Sequence, residues 1–154
     1  IIFVSATDSA RGPIAAELLR NQDLEQEYIV DSRGMVVLFP EPVNQKAEAV
    51  MRSNGLTMEK HFSQQFDGEN ILDDTLVLTM EESQKDKLRT EYENVRNIYT
   101  LNEFTGDAAE IPNPYGKPLT AYGECFEVME RLIAELAEKL NSSAEGEKEW
   151  EKYM

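Results

Sequence analysis

The chain has 154 residues, 15 Lys and Arg against 30 Asp and Glu, a formal net charge of −15 and a hydrophobic content of 41%. That length holds one core, and an averaged field this negative disfavours nucleic acid and anionic membrane surfaces as non-specific partners. The single cysteine, Cys125, can close no intramolecular disulfide and build no cysteine-based zinc site, which points to a reducing, cytoplasmic compartment; no apolar run approaches the roughly 20 residues that span a bilayer.

Ile1–Val4 is apolar and rich in β-branched residues, and predicts a buried strand. Small and polar residues follow without a gap, and then Pro13–Arg20 reads as a helix: Pro13 suits the first turn, while Ile14, Leu18 and Leu19 make a sheet-facing stripe. Tyr28–Val30 reads as a second strand ending at Asp31-Ser32-Arg33-Gly34, and Lys46–Arg52 as a helix stopped by Ser53-Asn54-Gly55. Thr75–Thr79 predicts a third strand, Glu81–Tyr92 a third helix and Val95–Thr100 a fourth strand. The Asp, Asn, Pro and Gly density of Gly106–Lys117 marks an ordered loop. From Leu119 to Leu140, Tyr122, Phe126, Met129, Ile133, Leu136 and Leu140 recur at helical spacing and predict one long helix against the sheet. Residues 142–154 are polar apart from Trp150 and Tyr153, and are expected to form a frayed or extended helical tail after a domain of residues 1–141. Strands alternating with helices give an α/β fold: a single-domain open sheet of four parallel strands with helices on both faces.

In such a sheet, ligands bind at the carboxyl ends of the strands, and the first strand–loop–helix unit is the favoured phosphate site. The loop here is Ser5-Ala6-Thr7-Asp8-Ser9-Ala10-Arg11-Gly12-Pro13. Its small residues let successive N–H groups turn inward, the helix adds a positive dipole end, and the planar fork of Arg11 can hold an oxyanion. Arg11 can equally pair with one of the neighbouring carboxylates, leaving the loop a plain connector; the segment alone favours neither reading.

Taken with later motifs, this loop resembles that of the low-molecular-weight protein tyrosine phosphatases, whose fold and loop one class of arsenate reductases shares. The family's loop reads Val-Cys-x-Gly-Asn-x-Cys-Arg-Ser-Pro after the first strand, and this chain reads Val4-Ser5-Ala6-Thr7-Asp8-Ser9-Ala10-Arg11-Gly12-Pro13 in the same register. Asp31-Ser32-Arg33-Gly34 looks like the family's Ser-Ala-Gly turn, Lys60-His61-Phe62-Ser63 like its His-x-Ser segment, Leu78-Thr79-Met80 like the end of its third strand, and Ile111-Pro112-Asn113-Pro114-Tyr115-Gly116 like its acid loop. The motifs run in order from Ile1 to about Leu140, and the first and last together are specific.

The resemblance implies a phosphotyrosine protein phosphatase I-like fold and a site in which a Cys thiolate attacks phosphorus, an Arg and the loop N–H groups stabilise the charge, and an Asp protonates the leaving oxygen. Carried over by position, the nucleophile is Ser5, the oxyanion ligand Arg11 and the general acid Asn113, with Ala6, Thr7, Asp8, Ser9, Ala10 and Gly12 completing the phosphate loop. A serine hydroxyl without an adjacent base is scarcely ionised at neutral pH. An amide has no acidic proton to give, a loss that typically costs about 10²–10⁴-fold in rate. Thr7, Asp8, Ala10 and Gly12 also depart from the family's Gly, Asn, Cys and Ser, which a substrate-trapping pair of substitutions at positions 5 and 113 would leave unexplained. Asp8 matters most for binding, because a carboxylate beside a dianion site opposes Arg11 unless it is neutralised or turned away.

These readings give a degenerate phosphatase that retains its scaffold for binding, with a phosphoprotein or an inorganic oxyanion as partner and with no cofactor and no metal. Two alternatives stand beside it. One is an enzyme acting on phosphotyrosine or phosphoarginine whose catalytic Cys and Asp are replaced only in this sequence; the other is a non-enzymatic interaction module that uses the acidic surface. The family position that helps separate phosphotyrosine from phosphoarginine enzymes is Ser9, which matches neither preference. Tyr115 is expected to line the pocket as the family aromatic does, and Phe39 is a candidate second wall. His61, the only histidine, reads as structural, and Cys125 as an apolar filler of the last helix.

Overall fold

The two most apolar strands lie at the centre of the sheet, where both faces must be covered. In the computed structural model, which describes residues 1–58 and 60–142, β1 (Ile2–Ser5), β2 (Asp31–Gly34), β3 (Leu76–Thr79) and β4 (Asn97–Thr100) are all parallel and lie in the order β2-β1-β3-β4. The pleat sends Phe3, Leu76 and Leu78 into a core built with α1 (Arg11–Arg20), α2 (Gln45–Ser53) and α5 (Leu119–Ser142). Val4, Val77 and Ile98 point the other way, against Phe66 and against Leu88 of α3 (Glu82–Glu91). Helices therefore cover both faces of a four-stranded parallel sheet. All six stripe residues of α5, from Tyr122 to Leu140, are buried, and no helix among the described residues is long and apolar enough to cross a membrane.

Several boundaries differ from the sequence-based expectation. The second strand is not Tyr28–Val30 but the polar run Asp31–Gly34. Ile29 is 83% exposed, the Val30 carbonyl accepts from Arg20 Nε at 3.1 Å, and ladder pairing begins where Asp31 N donates to Ile1 O at 2.9 Å. An edge strand is selected by pairing with its one neighbour, and composition is a weak guide to it. α1 starts at Arg11 instead of Pro13, so that Pro13 still falls within the first turn, where its missing N–H is not needed. β1, β3 and β4 are shorter than or shifted from the expected runs by one or two residues, and α2 and α3 shift by one at each end.

A short helix that the hydrophobic pattern does not mark, α4 (Leu101–Thr105), follows β4 directly. Thr100 Oγ1 accepts from Glu103 N and a Glu103 carboxylate oxygen accepts from Thr100 N, both at 3.1 Å, and Gly106 closes the helix in the left-handed region. The expected tail, with Trp150 and Tyr153, lies outside the described residues beyond Ser142.

Candidate functional site

β1 ends at Ser5 and α1 begins at Arg11, and the direction of the peptide groups between them decides what the loop can bind. The carbonyls point away from the concavity. Ser5 O accepts from Met35 N at 2.9 Å, Ala6 O from Val36 N at 3.1 Å, Ser9 O from Asn44 N at 2.8 Å and Ala10 O from Ile14 N at 3.0 Å. Among the described residues, the N–H groups from Ala6 to Gly12 find no acceptor. Donors are therefore concentrated on the inner side of the turn and at the first turn of α1, an arrangement that attracts an anion.

Asp8 does not oppose that field from inside the cradle. It has φ 55°, the only positive φ outside glycine among the described residues, and its side chain is fully buried. Asp8 Oδ2 accepts from Gln64 N at 3.0 Å and lies 3.3 Å from His61 Nε2, while the Asp8 carbonyl lies 3.2 Å from the same ring nitrogen. The carboxylate is thus turned away and countered, the two conditions under which the loop's field survives. Burial of the His61 ring works against its charge, but the hydrogen bond and charge of Asp8 outweigh burial and raise its pKa above the ordinary imidazole value.

Arg11 lies beneath the loop with 4% of its side chain exposed. Its Nη2 donates to Glu81 Oε2 at 3.4 Å, and its Nη1 has no partner. Both readings of Arg11 hold together: a carboxylate at the end of β3 pairs with one edge of the guanidinium, and another donor is left for a ligand. Glu81 was not marked by sequence reasoning, although a carboxylate directly after a central strand's carboxyl end sits where the first loop also opens.

The Ser5 hydroxyl is buried, without a hydrogen-bond partner, and a Cβ built on Gly12 would stand 2.8 Å from it. Among the described residues, no histidine, carboxylate or amine hydrogen-bonds Ser5 Oγ, and the His61 ring is committed to Asp8. Asn113 is exposed and folds its amide oxygen onto Tyr115 N at 3.2 Å. Ser5 and Asn113 thus line one space whose described lining residues include neither a base nor an acid.

That space is a cavity of about 250 Å³. Ser5, Ala6, Thr7, Ser9, Ala10 and Arg11 form its floor, and Asn113, Pro114, Tyr115, Asn44 and Tyr122 its walls. Phe39, 68% exposed, is not among the lining residues: its loop is drawn toward Ser63, whose hydroxyl accepts from Glu41 N at 2.9 Å. Asn44 and Tyr122 take the second wall instead. Asn44 caps α2, its Oδ1 accepting from Lys46 N at 2.9 Å and Ala47 N at 3.2 Å, and an Asn immediately before a helical pattern is the signal that could have found it. Cys125 is buried, its thiol pushed up to about 11 by desolvation against the opposing charge of Arg11. Among the described residues, no group of three or more His, Cys, Asp or Glu side chains could hold a metal ion.

The profile of the low molecular weight phosphotyrosine protein phosphatase family matches residues 1–146. Low molecular weight protein-tyrosine-phosphatase PtpB of Staphylococcus haemolyticus is 29% identical over 139 residues, spanning 88% of this chain and 96% of the relative. The protein-arginine-phosphatase of Geobacillus stearothermophilus is 31% identical over 144 residues, 92% of this chain and 96% of the relative. Among solved structures, the low molecular weight protein tyrosine phosphatase from T. tengcongensis superposes with a TM-score of 0.82 at 28% identity, over 90% of this chain and 97% of its own.

Proposed function

The chain belongs to the low molecular weight phosphotyrosine protein phosphatase family, and from that premise we propose that it binds a phosphorylated side chain or a free oxyanion and does not hydrolyse it. The observation that carries this reading is the division of labour in the loop. Carbonyls are taken up from outside, N–H groups and a buried Arg11 face inward, and Asp8 is held away by His61 and Gln64. The binding half of the family's site is therefore kept. The chemical half is not: Ser5 has no base to activate it and Asn113 no proton to give.

Phosphotyrosine suits the cavity better than phosphoarginine. Its lining above the floor includes Pro114, Tyr115 and Tyr122, which can flank a ring, and contains no carboxylate to receive a guanidinium. The single, free cysteine supports a reducing, cytoplasmic compartment for the protein.

Calorimetric titration of sulfate and of phosphotyrosine into the wild type, Arg11→Ala and Arg11→Lys tests the binding half. Binding to the wild type that is lost in Arg11→Ala and weakened in Arg11→Lys is the expected result, and absence of binding in the wild type overturns the reading. For the chemical half, p-nitrophenyl phosphate turnover should equal the blank, and intact-mass analysis after incubation should show no added phosphoryl group. A vanadate-sensitive rate, or a phosphoryl group on Ser5, would return this protein to the enzymes.

A further inference from the structure

The cavity wall built by α2 and α5 is polar, and its hydrogen bonding is incomplete. Asn44 and Tyr122 stand on it. Asn44 N donates to Ser9 O at 2.8 Å, which sets the residue beside the loop. Its side-chain oxygen accepts from Lys46 N at 2.9 Å and from Ala47 N at 3.2 Å, so the carbonyl end of the amide belongs to the α2 cap. An asparagine amide has one acceptor end and one donor end, and the end left over is therefore Nδ2 with its two N–H bonds. Among the described residues, Nδ2 has no acceptor.

Tyr122 is 2% exposed and lines the same cavity. Its hydroxyl has no hydrogen-bond partner among the described residues. A buried phenol normally has one, because a donor left unmatched costs the full desolvation of the group. Lys46 fastens this wall: its Nζ donates to Lys117 O at 2.8 Å, two residues before α5 begins, and lies 5.9 Å from the centre of the Tyr122 ring. The ring is thus held from α2 while its hydroxyl is unused.

A tetrahedral oxyanion seated on the floor turns three oxygens toward the loop N–H groups and Arg11, and the fourth points away from the floor into the space between the walls. In a free ion that oxygen shares the charge; in a phosphate ester it is the bridging atom. We propose that the Asn44 amide and the Tyr122 hydroxyl bind this fourth oxygen, as a second tier of donors above the loop. The second tier rests on the binding function proposed above and makes the site one for tetrahedral oxyanions, since a planar carboxylate on the same floor has no further atom to offer the wall. Asn44 then serves two structures with the two ends of one amide, the helix with its oxygen and the ligand with its nitrogen.

Two conservative variants separate these roles. Tyr122→Phe removes one oxygen and keeps the ring, and Asn44→Ser keeps an oxygen that caps a helix about equally well while removing the amide nitrogen. Both should retain the wild-type Tm, and in calorimetric titration each should bind sulfate roughly tenfold more weakly, the loss of one hydrogen bond to a charged acceptor. Phosphotyrosine should lose less in both, because the bridging oxygen of an aryl ester is a weaker acceptor than a charged one. In NMR spectra of the wild type, the Asn44 side-chain N–H resonances should move with sulfate along the same saturation curve as the amides of residues 6–12. Sulfate affinity unchanged in both variants overturns the proposal, and so does a loss confined to phosphotyrosine, which would place the two side chains at the ring and not at the oxygen. Asn44 resonances that ignore sulfate while the loop amides respond overturn it on the wild type alone, even if neither variant folds. Absence of sulfate binding in the wild type defeats the binding function itself, and the second tier with it.

Discussion

Ser5 and Gly12 compete for one volume: the position a Cβ would take on Gly12 lies 2.8 Å from the Ser5 hydroxyl oxygen and 3.4 Å from the Ser5 Cβ. The loss of the family's serine at position 12 and the orientation of the hydroxyl at position 5 are thus a single local arrangement. Gly12→Ser should overpack this junction and destabilise the fold by about 1–3 kcal/mol, read as a lowered Tm. An unchanged Tm would mean that the Ser5 hydroxyl swings into the cavity at little cost.

Restoring the nucleophile alone should restore little. Ser5→Cys supplies a thiol, but the leaving oxygen still meets the Asn113 amide, and the double variant Ser5→Cys with Asn113→Asp should turn over p-nitrophenyl phosphate about 10²–10⁴-fold faster than Ser5→Cys. Equal rates in the two would show that position 113 does not reach the leaving group.

Glu81 holds one edge of the guanidinium that an oxyanion needs, through a contact of 3.4 Å with 44% of the Glu81 side chain exposed. Glu81→Gln keeps the shape and removes the competing charge, so sulfate should bind about two- to fivefold more tightly, the range a partly exposed ion pair supports. Weaker binding would show instead that the pair's main task is to aim Arg11.

Tyr115 is 81% exposed and lines the cavity, so one face of its ring is open to the space beside it. Tyr115→Ala should weaken phosphotyrosine by about two- to tenfold, the scale of one aromatic contact, and leave sulfate unchanged. Equal losses for both would place the effect in the loop and not at the wall.

Lys85 is buried between Glu82, at 2.7 Å, and Glu103, at 3.0 Å, tying α3 to α4. Burial works against the charged form of Glu103, but hydrogen bonds from Lys85 and from Thr100 N outweigh it and lower its pKa. Its contribution is therefore present above the unfolded value of about 4.3 and is lost as pH falls through the lower folded value. Glu103→Gln retains an acceptor for Thr100 N and isolates the charge. The variant should melt about 2–4 °C below the wild type at pH 7, for a pair worth about 1 kcal/mol or less, and the gap should close in acid. A gap that persists below the Glu103 transition would assign the loss to packing.

The central strands and the long helix are legible because burial on both faces or on one stripe imposes a period that composition records, as in Leu76–Thr79 and from Tyr122 to Leu140. β2 is not, because Asp31-Ser32-Arg33-Gly34 becomes a strand through its ladder with Ile2–Ser5 and not through its own preferences. α4 had a signal in Thr100-Leu101-Asn102-Glu103, a capping box that hydrophobic periodicity does not weigh. In the site, the floor is one contiguous segment and could be read residue by residue. Its supports could not: Glu81, Asn44, Tyr122 and Gln64 arrive from four other parts of the chain. Asp8 likewise meets a histidine 53 residues away.

The one thiol of the chain is shielded from oxidants. Thiolate character and access govern the steps from sulfenic acid upward; Cys125 is fully buried with its thiol pushed up to about 11, and the floor of the cavity carries the Ser5 hydroxyl and no sulfur. Peroxide that would silence a thiolate enzyme therefore finds no sulfur to modify among the residues that line this cavity.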